Sequence, residues 1–374
     1  MSEFLDNLRN MDDESKKKIK LLGIGLIGFI MLIIIIAIIV AIINRKTSYE
    51  DMEIIMSKAA YSYYQDNLGK LPTESSKTSV VDETTLVNGK YMKSIKKYTK
   101  DETCKGRVEV TYNNGDFDYQ TYLTCNSFTT ILLKDQIKKD NLLVTSGAGL
   151  YDENGILRFR GEKLNNYLKV KNTIYRIIKI DNEDKIYIIP ENMDDNDEKV
   201  FVYWDDRYNS EEQINCGIND YSLSRIKDSL DVIYNSLDKE LKAKTTNFTA
   251  CVANRSENDI INTGDIECSK KIENSTISLL PIYEYIRASI APACQTTSSK
   301  ECKNYNYMYT DSYMWWTGTG DSTNTDKIYS ISYSGEIDKD RGNSRKVARY
   351  VVALKANTLL KEGNGTKKSP YQIR

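Results

Sequence analysis

The stretch Tyr313–Glu336, YMWWTGTGDSTNTDKIYSISYSGE, holds two of the three tryptophans in a 374-residue chain, and the two are adjacent. It reads as two strand-like segments, around 313–319 and 327–333, joined by a polar loop. Neighbouring side chains in a strand point to opposite faces, so a single core can bury only one of Trp315 and Trp316. The alternation places Tyr313, Trp315 and Thr317 on one face and Met314, Trp316 and Gly318 on the other. Two arrangements satisfy this: Trp315 lies beneath a covering loop, or it walls a ligand site rimmed by Gly320 to Asp326. In the second, Asp321, Asn324 and Asp326 supply polar contacts.

The segments around this stretch are mixed in period. YLKVKNTIYRIIKIDNEDKIYIIPE (167–191) alternates as strands with a turn near 182–184, and a further strand-like run covers 347–354. Ile226, Leu230, Ile233 and Leu237 share a helical stripe, and LLPIYEYIRASI (279–290) is helical as well. Strands at both ends with helices between them predict an α+β domain over 159–374. The acidic piece ENMDDNDEK (191–199) lacks the glycine and terminal glutamate of an EF-hand loop and reads as a solvated loop. A polar, glycine-containing run within 141–158 reads as a linker.

Upstream of that linker, RVEVTYNNGDFDYQTYLTC (107–125) predicts a β-hairpin turning at Asn114-Gly115, a dipeptide suited to a type I′ turn. A two-residue turn there pairs residues symmetrically about it and sets Cys104 opposite Cys125, at a narrow position of the ladder, so a disulfide is expected. Val108, Val110, Tyr112, Phe117, Tyr119 and Leu123 form the apolar face, with Arg107, Glu109, Thr111, Asp118, Gln120 and Tyr122 opposite. The preceding segment repeats apolar residues at Tyr49, Met52, Ile55, Met56, Ala59, Ala60, Tyr63 and Leu68, a helical stripe ended by Gly69 and Pro72. Together these predict, over 44–140, a stalk helix and a small disulfide-stapled sheet.

Residues 21–43, LLGIGLIGFIMLIIIIAIIVAII, form an uncharged apolar run of the length that crosses a ~30 Å hydrocarbon core. With no cleavage site behind it, the run reads as a transmembrane signal anchor whose helix continues into the stalk. Lys16, Lys17, Lys18 and Lys20 outweigh Arg45 and Lys46, which puts residues 1–20 in the cytoplasm. All seven cysteines lie beyond the run, as an oxidising exterior would permit. The expected placement is a single-pass cell-membrane protein with an extracellular C-terminus and the lipid bilayer as one partner. Self-association into an oligomer is also open to it, through the small Ala37-x-x-x-Ala41 pair of the span.

Composition excludes more than it assigns. With 52 basic against 53 acidic residues, nucleic-acid binding has no support. The chain contains no histidine, which removes Ser-His-Asp and Cys-His nucleophiles, His-ligated zinc and an imidazole switch. No C-x-x-C pair occurs, and no metal, cofactor or catalytic residue is expected. Were the chain a hydrolase after all, its acid and base would be carboxylates such as Asp205, Asp206 and Glu284. Five cysteines remain in the second domain and allow fifteen ways of forming two bridges. Short separations favour Cys251 with Cys268 and Cys294 with Cys302, leaving Cys216 as an unpaired thiol.

Several pieces of the second half, among them FRGEKLNNYLKVKNTIYRIIKI (159–180), YWDDRYN (203–209), GINDYSLSRIKDSL (217–230), CKNYNY (302–307), WWTGTG (315–320) and GNGTKKSPYQI (363–373), resemble a group of membrane-anchored surface proteins of low-GC Gram-positive bacteria. The order of tryptophan, strand, glycine turn and Val-x-Arg is in turn similar to the closing sheet of C-type-lectin-like domains, including formylglycine-generating-enzyme-like ones. That resemblance wants the core tryptophan directly before Thr or Ser, which is Trp316, and implies ligand binding at a long loop. The triplets of calcium-dependent sugar binders are absent, and no cysteine follows Cys302 to serve the oxidase chemistry. The 44–140 region is similar in layout to pilin-like subunits, without a prepilin cleavage motif. The expected function is non-catalytic binding or adhesion at the cell surface, toward glycan, cell-wall or protein ligands. A pilin-like structural subunit and a His-independent hydrolase are the alternatives.

Overall fold

The computed structural model describes residues 46–74, 76–113, 115–194, 196–208, 216–257, 259–260 and 264–374, together with 30, 31, 33 and 34. The cytoplasmic tail and, apart from those four residues, the expected anchor over 21–43 lie outside the described residues. Among the described residues no helix is long and apolar enough to cross a membrane. The chain divides into two compact units, Met1–Thr130 and Ile131–Arg374.

In the first unit, helix α1 (Tyr49–Asp66) starts at its own cap: Ser48 is extended and its hydroxyl accepts from the Asp51 N–H at 3.0 Å. Glu50 and Asp51 in the first turn suit the positive end of the helix dipole. Lys46 to Ser48 are not helical, so the expectation of one unbroken membrane-and-stalk helix is corrected: the serine cap starts a new helix. Met52, Met56, Ala59, Ala60 and Tyr63 are buried from the predicted stripe and Tyr64 is buried beside them, whereas Leu68 falls in a 3-10 turn past the helix end and is exposed.

That stripe packs on an antiparallel sheet of β1 (Thr78–Asp82), β2 (Lys105–Asn113) and β3 (Asp116–Thr124). Two short helices, α2 (Glu83–Asn88) and α3 (Ile95–Thr99), connect β1 to β2. The register pairs Asn113 with Asp116 and Lys105 with Thr124, so the turn and its arithmetic are as predicted. Gly115 takes φ +98°, the left-handed region that such a turn requires. One step beyond the ladder, Cys104 and Cys125 are joined with their Cα atoms 4.0 Å apart. Val108, Val110 and Leu123 are fully buried. On the opposite face the Arg107 guanidinium lies 4.6 Å from the Tyr122 ring centre.

The second unit begins earlier than expected, since α4 (Leu133–Asp140) belongs to it. The linker reading over 141–158 is also corrected. The span holds β4 (Gly149–Glu153) and the start of β5 (Ile156–Arg160), joined as a hairpin whose turn residues Asn154 and Gly155 are both at positive φ. Turn residues mark a chain reversal whether or not a domain ends there.

The larger sheet of this unit runs through β6 (Tyr167–Val170), β7 (Thr173–Ile180), β8 (Ile186–Pro190), β10 (Thr245–Thr246), β18 (Tyr350–Leu354), β19 (Leu360–Glu362) and β20 (Tyr371–Ile373). Their spatial order is β10-β18-β8-β7-β6-β20-β19, with β5 on the edge of β7 and β13 (Ser278–Leu279) on β18. All its pairings are antiparallel except that of β6 with β20. Gly365 at φ +75° turns the tail so that its carbonyl accepts from the Tyr167 N–H at 2.9 Å, docking β20 beside β6. A two-stranded ladder joins β11 (Phe248–Cys251) to β12 (Lys271–Ser275). Helix α5 (Ile226–Ser236) buries Ile226, Leu230 and Ile233 as its stripe predicts, α6 (Lys239–Lys244) follows, and α7 (Ile282–Ala288) is almost wholly buried.

The second sheet contains β9 (Phe201–Tyr203), β14 (Trp315–Gly320), β15 (Lys327–Ile331), β16 (Ile337–Arg341) and β17 (Arg345–Val347), ordered β16-β15-β14-β17-β9. Strand β14 is central, and every residue in it is buried. Both tryptophans are core because the sheet is covered on both sides. Trp316 meets Trp204 edge to face at 6.1 Å and donates its Nε1–H to the Val202 carbonyl at 3.2 Å. Trp315 packs edge to face on Tyr285 of α7 at 5.7 Å and beneath the Arg349 guanidinium at 5.2 Å.

Candidate functional site

The expected site around Trp315 is not an open surface. The ring is fully buried under a helix and a guanidinium, so it offers no face to a ligand. Arg349 itself is fixed by donating to the carbonyls of Pro190 at 3.0 Å and Met308 at 2.6 Å. Asp321 is buried at the end of β14, where its carboxylate accepts from the Thr323 N–H and hydroxyl, from Asn324 Nδ2 at 2.7 Å, and pairs with Lys339 at 3.2 Å. Burial pushes this carboxyl up, but the donors together hold it below the usual range. Asp326 pairs with Arg341 at 3.6 Å, and Asn219 binds the Asp321, Asn324 and Lys327 carbonyls. These polar groups are spent on shaping the β14–β15 loop.

The cysteines pair as short separations favour: Cys251 with Cys268 and Cys294 with Cys302, with Cys216 a buried free thiol. Asp101 stands close to Cys104 and Cys125 in a metal-like grouping, but both sulfurs are spent in the disulfide.

The carboxylates nominated for hydrolysis are each taken up by cations. Asp205 is fully buried and holds Arg207 through both oxygens, and Asp206 pairs with Arg225 at 2.8 Å. Glu284 is enclosed by Arg158, by Lys179 at 2.7 Å and by the Tyr283 hydroxyl at 2.9 Å, beside a cavity of only about 40 Å³. Burial, and then the charge of Arg158, lowers the Lys179 ammonium's pKa. Burial raises that of the Tyr283 phenol, but Lys179 and Arg158 bring it below its ordinary value. The cluster is a closed ionic network joining β5, β7 and α7.

The largest concavity among those described lies elsewhere in the second unit, a cleft of about 890 Å³ bordered by 162–167, Arg176, 303–309 and Lys367. Its aromatic lining is Tyr167, Tyr305, Tyr307 and Tyr309, interleaved with the amides of Asn304 and Asn306. Tyr305 and Tyr309 are 60% and 42% exposed and form the rim, while Tyr307 at 5% and Arg176 at 2% form the floor. The exposed amphipathic rings can stack on a ligand's apolar faces and hydrogen-bond its hydroxyls through their phenol groups.

The wall made by 302–309 is held from behind. The Cys294–Cys302 bridge ties its start. Asn306 Nδ2 donates to the Tyr285 and Cys302 carbonyls, each at 2.8 Å, and its Oδ1 accepts from the Met308 N–H at 3.0 Å. Ser289 Oγ donates to the Asn304 carbonyl at 2.7 Å, and the Tyr307 N–H to the Gly161 carbonyl at 2.9 Å. Within this frame Tyr305 sits at φ +50°, a left-handed conformation costly for a bulky residue, with its ring in the open.

On the floor, the Arg176 guanidinium is stacked 3.8 Å from the Tyr167 ring centre and 5.0 Å from that of Tyr307. Its Nε donates to Asn166 at 2.7 Å and its Nη1 to Glu191 at 3.2 and 3.3 Å. Glu191 is the first residue of the acidic loop, so that loop contributes structure at its base. Burial drives the Tyr307 phenol's pKa well up despite nearby Arg176, so the hydroxyl keeps its proton as a donor.

None of the cleft residues was among those expected to bind ligand. The signal in the sequence was the run Lys303–Tyr309, KNYNYMY, in which tyrosine and asparagine alternate against a disulfide. No protein-family model matches the chain, and neither a curated protein nor a solved structure matches it significantly.

Proposed function

We propose that the chain is an extracellular binding protein, held to the membrane by residues 21–43, that recognises a glycan, cell-wall or protein ligand without catalysis. The observation that carries this reading is the tyrosine- and asparagine-lined cleft, whose wall is fixed by a disulfide and buried amide bonds while two rings stay exposed. Preorganised aromatic contacts lose little entropy on binding. Three disulfides fit an oxidising exterior. The test is to screen the full chain in detergent micelles against a polysaccharide array and cell-wall fragments. Tyr305→Asn and Tyr309→Ala should each weaken the best hit at least tenfold with melting unchanged. No hit, or a hit indifferent to both substitutions, sinks this reading.

A second reading, a structural subunit of the cell surface, draws on the first unit. There Ile54 and Tyr61, seven residues apart on α1, are 54% and 53% exposed on the helix's solvent side. Concentration-dependent oligomers that Ile54→Lys abolishes, in the absence of ligand, would favour it.

A further inference from the structure

We propose that the cleft takes a saccharide carrying an oxyanion, a carboxylate or a phosphate, whose negative charge is received by Arg176 Nη2 and Tyr307 Oη; this rests on the binding function inferred above. The argument starts from unmet hydrogen-bonding capacity. Arg176 spends Nε on Asn166 and Nη1 on Glu191, yet Nη2, on a residue only 2% exposed, has no hydrogen-bond partner among the described residues. Tyr307 is 5% exposed and its Oη is likewise without a partner. Buried donors are ordinarily satisfied, and these two lack partners on residues that both line the one cleft. The guanidinium of Arg176 lies 5.0 Å from the Tyr307 ring centre, so the two residues are neighbours on the cleft floor.

The chemistry of those donors selects the acceptor. A guanidinium edge and a phenol favour a charged oxygen over a neutral hydroxyl, because charge-assisted hydrogen bonds are the stronger ones. Asn166 and Glu191 hold the guanidinium in place, and the Tyr167 ring stacks on it, so its fork is preorganised. Glu191 already balances one positive charge, and Lys303 is paired with Glu336 at 3.2 Å. Lys163 and Lys367, exposed on the border, have no ion-pair partner among the described residues and face only Glu162 as an acidic lining residue. The border thus retains a small positive excess. The exposed rings of Tyr305 and Tyr309 suit the apolar face of a sugar rather than a bare ion.

The experiment uses calorimetric titration of the full chain in detergent micelles with three probes: oligogalacturonate, its neutral methyl ester, and poly(glycerol phosphate). Oligogalacturonate or poly(glycerol phosphate) should bind at least tenfold tighter than the methyl ester, and which of them does so identifies the oxyanion's source. Tyr307→Phe removes only the unpartnered hydroxyl, so its melting temperature should hold or rise while the preference for the acidic probe falls at least fivefold. Lys163→Ala/Lys367→Ala should weaken the acidic probe and flatten its salt dependence. If the methyl ester binds as tightly as the acidic probes, or Tyr307→Phe leaves the preference intact, the oxyanion proposal is overturned while the binding reading stands. If none of the three binds and the array gives no hit, both fail together.

Discussion

The two units solve the same problem, burying a sheet face, at different distances along the chain. In the first, the stripe of α1 covers a hairpin whose strands are joined by two residues, and a disulfide closes the ladder between Cys104 and Cys125. In the second, β14 pairs with β15 close in sequence and with β17 further on, while Trp204 and Tyr285 cover its two faces from well upstream. The small unit adds one disulfide to a small set of buried apolar side chains; the large one, with two disulfides of its own, has a continuous core of interlocked aromatics and buried ions.

The sharpest way to break this contrast is Trp315→Ala. A fully buried tryptophan in a two-sided core should cost the second unit ~3–5 kcal/mol, read as an early melting transition with the first unit's transition unmoved. A loss below ~1 kcal/mol would return Trp315 to the status of a surface residue. Next in size is Cys104→Ser/Cys125→Ser, which should lower the first unit's stability by ~2–4 kcal/mol, in chemical denaturation followed by unit-specific hydrogen exchange. Equal destabilisation of both units would remove the distinction drawn here.

Acid should act mainly on the second unit. The Asp205 and Asp321 carboxyls are pushed up by burial but held below their ordinary 3.8 by Arg207 and by the Thr323 donors respectively. A depressed folded-state pKa gives a contribution present above the unfolded value and lost as pH falls through the folded one. Denaturation midpoints should therefore be steady from pH 6 to about 4 and drop below that, and Asp205→Asn should flatten the drop; a midpoint insensitive to acid would sink the claim. Smallest is Tyr305→Gly, which frees a left-handed backbone and should change stability by about 1 kcal/mol or less, upward, while weakening ligand binding.

These contrasts also mark how far the residues could be read alone. The Asn114-Gly115 turn, the opposition of Cys104 and Cys125, and the stripes of α1 and α5 were legible because each depends on neighbours within a few turns of chain. The same local signals misled where context decides. Asn154-Gly155 announces a reversal but not whether a domain ends, and the stripe through Tyr49 did not reveal that Ser48 caps a separate helix.

The sequence by itself determined the α+β class, the Cys104–Cys125 pairing through hairpin register, the absence of imidazole chemistry and the need for two surfaces beneath Trp315 and Trp316, and it only favoured the other two disulfides among fifteen arrangements. Only the tertiary structure decided that both surfaces are closed. Helix α7 and Arg349 cover one face, Trp204 the other, and Asp321, Asn324 and Asp326 are taken up by their own loop and by Asn219, Lys339 and Arg341. It also decided where the open surface is, because the cleft draws on four separated segments, Arg176 among them. The physical reason is range: backbone periodicity and turn geometry act between near neighbours, whereas burial and unmet hydrogen bonds are properties of segments that meet only after folding.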